Sequence, residues 1–482
     1  MKSNQLAEGF IQKADELRLA QKYTEALENY NQCLRYATCK SQVLSDAFAG
    51  RAKVYYESKQ QEKCLDNIQS AINACICDEN REVSKTFQSK CRENQKIIAS
   101  DKSDASPFFK LSLPAHKKIP FIAECLEVRE NEIYGRYLMT NKDLVPGDIV
   151  VLEEPFYKIL DPKERHTRCA VCLQKNQLNL LPCAKCSDAL FCSSKCSESV
   201  VHRYECTAPK EESFEKLLLQ RMFYQAVEIA GSLADLQKLM NHQEANKTIM
   251  DFDLSDPTDP MLLKNRILAT TSLAEREPWS AEAYAKYESV TEQLQTDSED
   301  ERNFLQHYLV RCLKSMTVNF FHFFWSPNQL EGQGFALCSL SAYFAHSCDP
   351  NVDKIDVDNK FAFVARKPIK AGEQLFITYD RYSFLTHSLK DRQDYFNKIY
   401  TFQCACSACQ NDYAQLADLP KFDADFNGKS LGEATKTASI EKYKKNCEYI
   451  NDNINHYPCQ EICTLMIENI DLLHSIGNKL DF

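Results

Sequence analysis

Residues 169–206 read CAVCLQKNQLNLLPCAKCSDALFCSSKCSESVVHRYEC, and metal-binding side chains follow one another there in four pairs. The pairs are Cys169 with Cys172, Cys183 with Cys186, Cys192 with Cys196, and His202 with Cys206. Such short spacings suit tetrahedral zinc, because a tight turn brings both donor atoms within about 2.3 Å of one metal. Eight ligands predict two closed sites, and so short a stretch depends on metal for its fold. A closed site leaves no position for water, which favours a scaffold or peptide-docking role over hydrolysis.

A second cysteine group lies further along the chain. Residues 395–409 read YFNKIYTFQCACSAC, so Cys404, Cys406 and Cys409 supply three ligands, one short of a structural tetrahedron. A fourth ligand must therefore come from elsewhere in the chain. The chain holds 23 cysteines, and metal binding explains such clusters better than disulfides in a reducing compartment.

Length and composition indicate a folded, acidic, multidomain protein. The 482 residues correspond to about three domains, and 44% of them are hydrophobic. The net charge of −10 argues against phosphate-backbone binding and favours basic peptides over nucleic acid as partners. No run approaches the roughly 18 apolar residues of a membrane span, and the start, MKSNQLAEGF, lacks the apolar core of a signal peptide. We expect a cytoplasmic and nuclear protein that does not bind membranes.

The first hundred residues contain an internal repeat. Aligning residues 7–34 with residues 45–72 pairs Phe10 with Phe48 and Ala14 with Ala52. The small and aromatic positions follow the tetratricopeptide (TPR) pattern, with copies slightly further apart than the usual 34 or so residues. A third helix from about Asn80 to Ile98 would cover the open end of the stack. The alternative is a plain pair of helical hairpins.

Strand patterns surround the first cysteine cluster, which predicts an α+β fold. From about Ala123, runs such as IVVLEEPF predict hairpin strands around the Pro146-Gly147 turn. Helical patterns then extend from about Glu211 to Phe324, and strands return at FAFVARKPI and QLFITYD. The last seventy or so residues again indicate helices. A sheet interrupted by inserts is the simplest account.

These motifs resemble those of a known family. The stretch 169–206 resembles the MYND zinc finger, including Phe191 before Cys192. YFAHSCDPN at 343–351, GEQLFITYD at 372–380 and the cysteines after them resemble the SET methyltransferase domain, whose split form surrounds a MYND finger in the SMYD family. The N-terminal repeats point to its TPR-bearing branch. The implied domains are TPR-like repeats at 1–100, a split SET domain with its post-SET site at 120–410, the MYND finger at 169–206, a helical insert at 207–325 and a C-terminal helical region at 411–482.

The resemblance also implies how the ligands combine into three zinc sites. In the MYND family the first and third pairs share one zinc, and the second and fourth pairs share the other. In the SET family a cysteine matching Cys348 joins three post-SET cysteines around a third zinc. The implied sets are Cys169, Cys172, Cys192 and Cys196; Cys183, Cys186, His202 and Cys206; and Cys348, Cys404, Cys406 and Cys409.

The implied activity is methyl transfer from S-adenosylmethionine to a lysine of a histone or non-histone protein. Tyr379 matches the catalytic tyrosine of the family. Holding the amine, the methyl group and the leaving sulfur in line can contribute about 7–11 kcal/mol. The residues that match cofactor-binding positions are Gly135 and Arg136 in the Gly-x-Gly loop, His346, and Phe402 with Tyr400 near it. The resemblance implies that these last two aromatics pack on the adenine and line the lysine channel.

Two departures from the family pattern fall in the implied cofactor pocket. Tyr137 stands where the second glycine is expected, and Ala345 stands where an asparagine is expected. Tyr137 adds bulk near the cofactor, and Ala345 removes a polar side chain, which typically costs about 1.5–3 kcal/mol. The alternative reading is therefore a catalytically weak or silent adaptor that recruits protein partners through the MYND finger and the repeats, for example in transcriptional repression.

Overall fold

The fold is that of a computed structural model of the full chain. The residues that the structure describes are 2–75, 77–98, 108–207, 214–241, 247–275, 296, 298–324, 332–380, 382–423, 426 and 435–478. The architecture is α+β, as predicted. Within the described ranges, no helix has both the length and the apolar character that a bilayer crossing requires. The polar segment DKSDASP at 101–107, which the sequence indicates as a linker between the helical repeats and the strands, lies outside the described residues.

The N-terminal region forms antiparallel helical hairpins, as the repeat predicts. Its helices are α1 (Asn4–Leu19), α2 (Tyr23–Tyr36), α3 (Gln42–Glu57), α4 (Gln61–Ala74) and α5 (Asp78–Ile98). The Oγ atoms of Ser3 and Ser41 cap α1 and α3, each accepting a backbone N–H of the first turn. Ser3 and Ser41 are separated by the same number of residues as Phe10 and Phe48, so the caps repeat with the helices. Helix α5 packs on α4 at the end of the stack.

One face of these helices, formed by α2, α3 and α4, is covered by the zinc-finger stretch. Arg51 on α3 is fully buried and donates to the carbonyl oxygen of Leu180 over 2.6 Å. It also donates to the side-chain oxygens of Asn31, Asn67 and Asn179 over 2.6–2.8 Å. Amide and carbonyl oxygens thus satisfy this buried guanidinium, which forms no ion pair with a described carboxylate. The helices and the finger are therefore one packed unit.

Twelve short strands form the β part, in five small sheets among the described residues. The strands are β1 (Leu126–Asn131), β2 (Gly135–Thr140), β3 (Ile149–Glu153), β4 (Tyr157–Leu160), β5 (Leu181–Pro182), β6 (Leu190–Phe191), β7 (Phe320–Phe323), β8 (Gly334–Leu337), β9 (Ala345–His346), β10 (Val352–Val357), β11 (Lys360–Ala365) and β12 (Phe376–Ile377). The sheet orders are β1-β2, β10-β11-β3, β4-β8-β7, β5-β6 and β9-β12. All pairs are antiparallel except β9 with β12.

The hairpin predicted around Pro146-Gly147 does not form. Strand β2 pairs with β1, whereas β3 pairs with β11. Strand β3 reads IVVLE and is buried along nearly its whole length, so it needs a partner inside the fold rather than at an edge. The chain between β2 and β3 is held instead by a bridge from Leu144 to Ile369.

The helical insert and the finger pack around the sheets. The finger contributes α6 (Ser194–Ser197) and α7 (Val200–Thr207), and the insert contributes α8 (Phe214–Ala230), α9 (Leu233–Asn241), α10 (Leu262–Thr271) and α11 (Glu299–Asn319). The largest apolar core joins these insert helices to β3, β4 and β8. The sheets and the insert therefore share one interior.

The C-terminal helices pack against the same sheets. They are α12 (Leu389–Tyr400), α13 (Ser407–Gln410), α14 (Lys436–Asn453) and α15 (Gln460–Asn478). Helix α15 lies on β10, with Leu472 and Leu473 in a shared core with Ile355. The Tyr457 hydroxyl donates to the carboxylate of Asp349 in the HSCDPN motif. The C-terminal region thus contacts the HSCDPN motif directly.

Candidate active site and metal centres

The cysteines and histidine of the finger converge in two groups. In each group one ligand atom from every residue lies within 4.8 Å of the others. The groups are Cys169, Cys172, Cys192 and Cys196, and Cys183, Cys186, His202 and Cys206. These are the interleaved sets that the family resemblance implies.

The distances within the two finger groups suit zinc. Bonds of about 2.3 Å at tetrahedral angles place neighbouring sulfurs about 3.8 Å apart. The Sγ of Cys192 lies 3.4 Å from that of Cys172 and 3.6 Å from that of Cys196. In the second group the Sγ atoms of Cys183 and Cys206 are 3.8 Å apart. The donor atoms are therefore spaced to hold one metal ion per group.

A third group of four thiols, three of them buried, joins two distant parts of the chain. The Sγ of Cys348 lies 3.8 Å from that of Cys404 and 3.5 Å from that of Cys409, and Cys406 completes the group. Arg392, fully buried on α12, donates to the Cys409 sulfur over 3.8 Å. Four thiolates around one divalent cation carry excess negative charge, which a buried guanidinium offsets. This group fixes residues 404–409 against the HSCDPN motif.

Beside the third group lies a first cavity of about 480 Å³, a volume typical of small-molecule sites. The described residues that line it include Ile133, Tyr134, Gly135, Arg136, Ala274, Asn319, Ala342, Tyr343, Phe344, Ala345, His346, Tyr379, Phe402, Cys404 and Cys406. Five of the predicted cofactor-binding residues therefore line one cavity, namely Gly135, Arg136, Ala345, His346 and Phe402.

The turn between β1 and β2 forms one wall of the first cavity. Gly135 has φ +62°, a left-handed conformation that glycine adopts without strain. The Arg136 guanidinium lies 5.4 Å above the centre of the Tyr343 ring. Ile133, in the same turn, is 81% exposed at the rim. The turn therefore offers backbone, a cation and apolar surface to a ligand.

Two of the residues predicted to bind the cofactor do not line the first cavity. Tyr137 is half-buried on β2, opposite Arg129 of β1, and does not line the first cavity. Tyr400 lines a different cavity, where its hydroxyl donates to Asp380. Alternation along β2 explains the first difference, because Arg136 and Tyr137 must point to opposite faces. The bulk expected from Tyr137 therefore does not enter the first cavity.

His346 is fixed between the first cavity and the third cysteine group. Its Nδ1 accepts the Tyr379 backbone N–H over 3.1 Å, and its ring packs on Phe396 with centroids 4.0 Å apart. Burial lowers the pKa of His346 to about 3. The ring is therefore neutral near pH 7, and its Nδ1 is available as an acceptor.

A second cavity of about 460 Å³ is also lined by Tyr379. Val318, Ala342, Phe344 and Tyr379 line both cavities. The Tyr379 hydroxyl donates to the Phe344 carbonyl oxygen over 2.8 Å. Burial raises the pKa of Tyr379, so the hydroxyl stays protonated and acts as a donor. Tyr379 is thus part of the wall between the two cavities.

The basic side chains of the second cavity are balanced by neighbouring acids. The Lys354 ammonium contacts Asp356, and the Arg366 guanidinium lies 3.1 Å from Asp353. All four residues line the second cavity. Their charges cancel in pairs.

Two further carboxylates give the second cavity an acidic excess. Asp380 accepts hydrogen bonds from the hydroxyls of Tyr395 and Tyr400. Asp471 reaches the cavity from α15. Neither carboxylate forms an ion pair with a described residue. A cationic ligand is therefore favoured on this side of Tyr379.

Sequence reasoning missed Asn319, which lies in the first cavity at the end of α11. It is 5% exposed, and its Nδ2 donates to the carbonyl oxygens of Ala274 and Ser315 over 2.7 Å each. Its sequence signal was a lone carboxamide in the apolar run MTVNFFHFF at 316–324. A buried amide in such a run needs specific partners, and one of them, Ala274, also lines the first cavity.

Comparison with known proteins places this site in a family context. A model of the SET domain matches residues 135–380. A SET and MYND domain-containing protein of Dictyostelium discoideum is 22% identical over 343 residues, covering 62% of this chain and 86% of that protein. Histone-lysine N-methyltransferase ASHR1 of Arabidopsis thaliana is 24% identical over 289 residues, covering 60% of this chain and 55% of that protein. Histone-lysine N-methyltransferase SMYD3 of Mus musculus is 24% identical over 347 residues, covering 69% of this chain and 74% of that protein.

Proposed function

Because the chain belongs to the SET-domain family of lysine methyltransferases and, within it, to the SMYD proteins, we propose that it methylates lysine side chains of proteins with S-adenosylmethionine. The observation that carries this proposal is Tyr379, whose side chain lines two cavities at once. Methyl transfer in line requires donor and acceptor on opposite sides of one short passage. A wall with a cavity on each side supports that arrangement.

We propose the first cavity as the cofactor site. When bound, S-adenosylmethionine supplies a methyl group carried on a positively charged sulfur. The cavity volume of about 480 Å³ is adequate for a ligand of this size. The Gly135 backbone, the Asn319 carboxamide and the segment Ala342–His346 would hold it. Ala345 contributes no polar side-chain atom, so backbone groups of that segment carry more of the binding.

The second cavity is the proposed acceptor site. Asp380 and Asp471 attract a protonated lysine and the basic residues beside it. The lysine amine must then lose its proton to water, which burial of the ammonium beside Tyr379 promotes. The Tyr379 hydroxyl and the Phe344 carbonyl oxygen orient the neutral amine.

Three zinc ions are proposed as structural parts of this enzyme. Each donor group supplies four protein ligands, so each site is closed and leaves no position for substrate. The third group matters most for the chemistry, because Cys404 and Cys406 also line the first cavity. Zinc there would fix that part of the cavity wall.

The experiment that tests the proposal is titration calorimetry of S-adenosylmethionine into zinc-replete protein. We expect binding in the micromolar range, followed by transfer of a labelled methyl group to lysine-containing histone and non-histone proteins. A folded, zinc-loaded protein that does not bind S-adenosylmethionine would contradict the proposal. That result would favour the adaptor, in which the finger and the repeats recruit protein partners.

A further inference from the structure

Glu153 is a fully buried carboxylate at the end of β3. It forms no ion pair with any residue that the structure describes. Among the described residues, its carboxylate accepts hydrogen bonds only from the segment Ser339–Ser341. Burying an unpaired charge is costly unless several donors satisfy it, so the contacts of Glu153 must be extensive.

Five donors converge on this one carboxylate. Oε1 accepts the backbone N–H groups of Ser339 and Leu340 over 2.9 and 3.1 Å, and the Ser339 hydroxyl over 3.1 Å. Oε2 accepts the backbone N–H of Ser341 over 2.9 Å and its hydroxyl. Hydrogen bonds to an ionised acceptor are about twice as strong as neutral ones. The segment is thereby fixed to β3.

The fixed segment leads directly into the proposed active site. A short 3-10 helix, Ser341–Tyr343, follows it, and Ala342–His346 supplies five consecutive residues that line the first cavity. In this stretch lie the Tyr343 ring under Arg136 and the Phe344 carbonyl that accepts from Tyr379. Displacing the start of the segment would move all of these groups.

We propose that Glu153 is a positioning residue for methyl transfer: it holds the segment 339–346 in the conformation that binds the cofactor and orients Tyr379. The proposal rests on the proposed function, because it assigns the first cavity to S-adenosylmethionine. Glu153 acts through the segment and does not itself line either cavity.

The test compares Glu153→Gln with a matched control. Glutamine keeps the size of the side chain but presents an NH₂ group to the donors, so some of the five hydrogen bonds are lost. The control is Glu461→Gln, because Glu461 is 1% exposed and accepts the backbone N–H groups of Phe422 and Asp423, in the C-terminal region. Glu153→Gln should melt at a lower temperature than the wild type, whereas Glu461→Gln removes a buried carboxylate but keeps an oxygen for both N–H groups, because only Oε1 of Glu461 accepts them.

Two readouts separate positioning from general destabilisation. In Glu153→Gln, we expect amide hydrogen exchange of residues 339–346, measured without cofactor, to accelerate at least tenfold. We also expect the affinity for S-adenosylmethionine to fall about tenfold to hundredfold. Glu461→Gln should show neither change. A double variant, Ser339→Ala with Ser341→Ala, keeps the carboxylate and removes two of its five donors. It should weaken the affinity for S-adenosylmethionine by a smaller factor than Glu153→Gln does. This variant tests the proposal if Glu153→Gln does not fold.

The outcomes distinguish this proposal from the proposed function. Unchanged exchange and affinity in Glu153→Gln would overturn the positioning role. Equal losses of affinity in Glu153→Gln and Glu461→Gln would also overturn it, because the effect would then be global. If the wild type does not bind S-adenosylmethionine but Glu153→Gln still loosens residues 339–346, Glu153 does hold the segment, and its role in methyl transfer falls together with the proposed function.

Discussion

The Tyr379 hydroxyl donates a hydrogen bond to the Phe344 carbonyl oxygen, and both residues line both cavities. We expect Tyr379→Phe to lower the methyl-transfer rate about a hundredfold, because an oriented polar group is lost at the passage. The affinity for S-adenosylmethionine should change less than threefold or so, since the ring remains. Single-turnover kinetics and calorimetry check the two parts. Tyr449→Phe, which removes a hydroxyl bound to Asp423, is the control and should leave the rate unchanged.

Restoring a carboxamide at position 345 should strengthen cofactor binding. Ala345 lines the first cavity, and an asparagine there adds a polar group that the family pattern contains. We expect Ala345→Asn to raise the affinity for S-adenosylmethionine up to about tenfold, as measured by calorimetry. Tyr137→Gly is the comparison and should leave the affinity unchanged, because Tyr137 lies outside the cavity lining. A larger gain from Tyr137→Gly than from Ala345→Asn would contradict this geometry.

The metal sites should be separable by mutation. We expect native mass spectrometry to find three zinc ions per chain, and Cys196→Ser and Cys406→Ser each to lose one. Cys406→Ser should also abolish S-adenosylmethionine binding, because Cys406 lines the first cavity. Cys196→Ser should keep most of that binding, since its group lies in the finger. Loss of all zinc in either single variant would show that the sites are not independent.

Arg51 should control the attachment of the N-terminal helices to the finger. Arg51→Met removes the guanidinium donor of the Leu180 carbonyl oxygen, which costs about 1–3 kcal/mol for a buried group, and leaves the Asn179 Oδ1 with the Asn67 amide alone. With a protease site placed in residues 101–107, the cleaved wild type should elute as one complex from size exclusion. Cleaved Arg51→Met should separate into two parts. Arg81→Met, at a partly exposed arginine of α5, is the control and should behave as the wild type. Co-elution of both variants would refute the role of Arg51.

Substrate preference should follow the acidic excess of the second cavity. We expect peptides with an arginine near the target lysine to be methylated faster than peptides with a glutamate there. Asp471→Asn should reduce this preference several-fold, and added salt should weaken it in the wild type. S-adenosylmethionine affinity is the internal control and should not change. A preference that Asp471→Asn leaves intact would assign the selectivity to other residues.

The zinc ligands and the helical repeats could be predicted from the sequence. A cysteine pair such as Cys169 and Cys172 has the spacing of a zinc site whatever surrounds it, and the structure groups the ligands as the resemblance implies. The helical repeats were readable because small and apolar positions recur with a fixed spacing. Both signals are contained in short segments.

Contacts between residues that are distant in the sequence could not be predicted in the same way. The pairing of β3 with β11 depends on which strand fills the interior, and nothing near Pro146-Gly147 encodes that choice. Tyr400 and Phe402 are two residues apart, yet Tyr400 lines the second cavity and Phe402 the first. The role of Glu153 depends on Ser339, which is 186 residues away in the chain. Single-sequence patterns carry no information about such contacts.

The contact between Arg51 and Leu180 also sets an order of events during synthesis. The two residues are 129 positions apart, which corresponds to roughly 6–26 s of translation at 5–20 residues per second. During that interval the nascent helices carry a guanidinium that has no Leu180 or Asn179 oxygen to bind. If the proposed zinc sites order the finger, these contacts of the N-terminal helices form only after the finger has left the ribosome and bound metal. In a zinc-starved cell, the first part of this protein to be made would be among the last to become resistant to proteases.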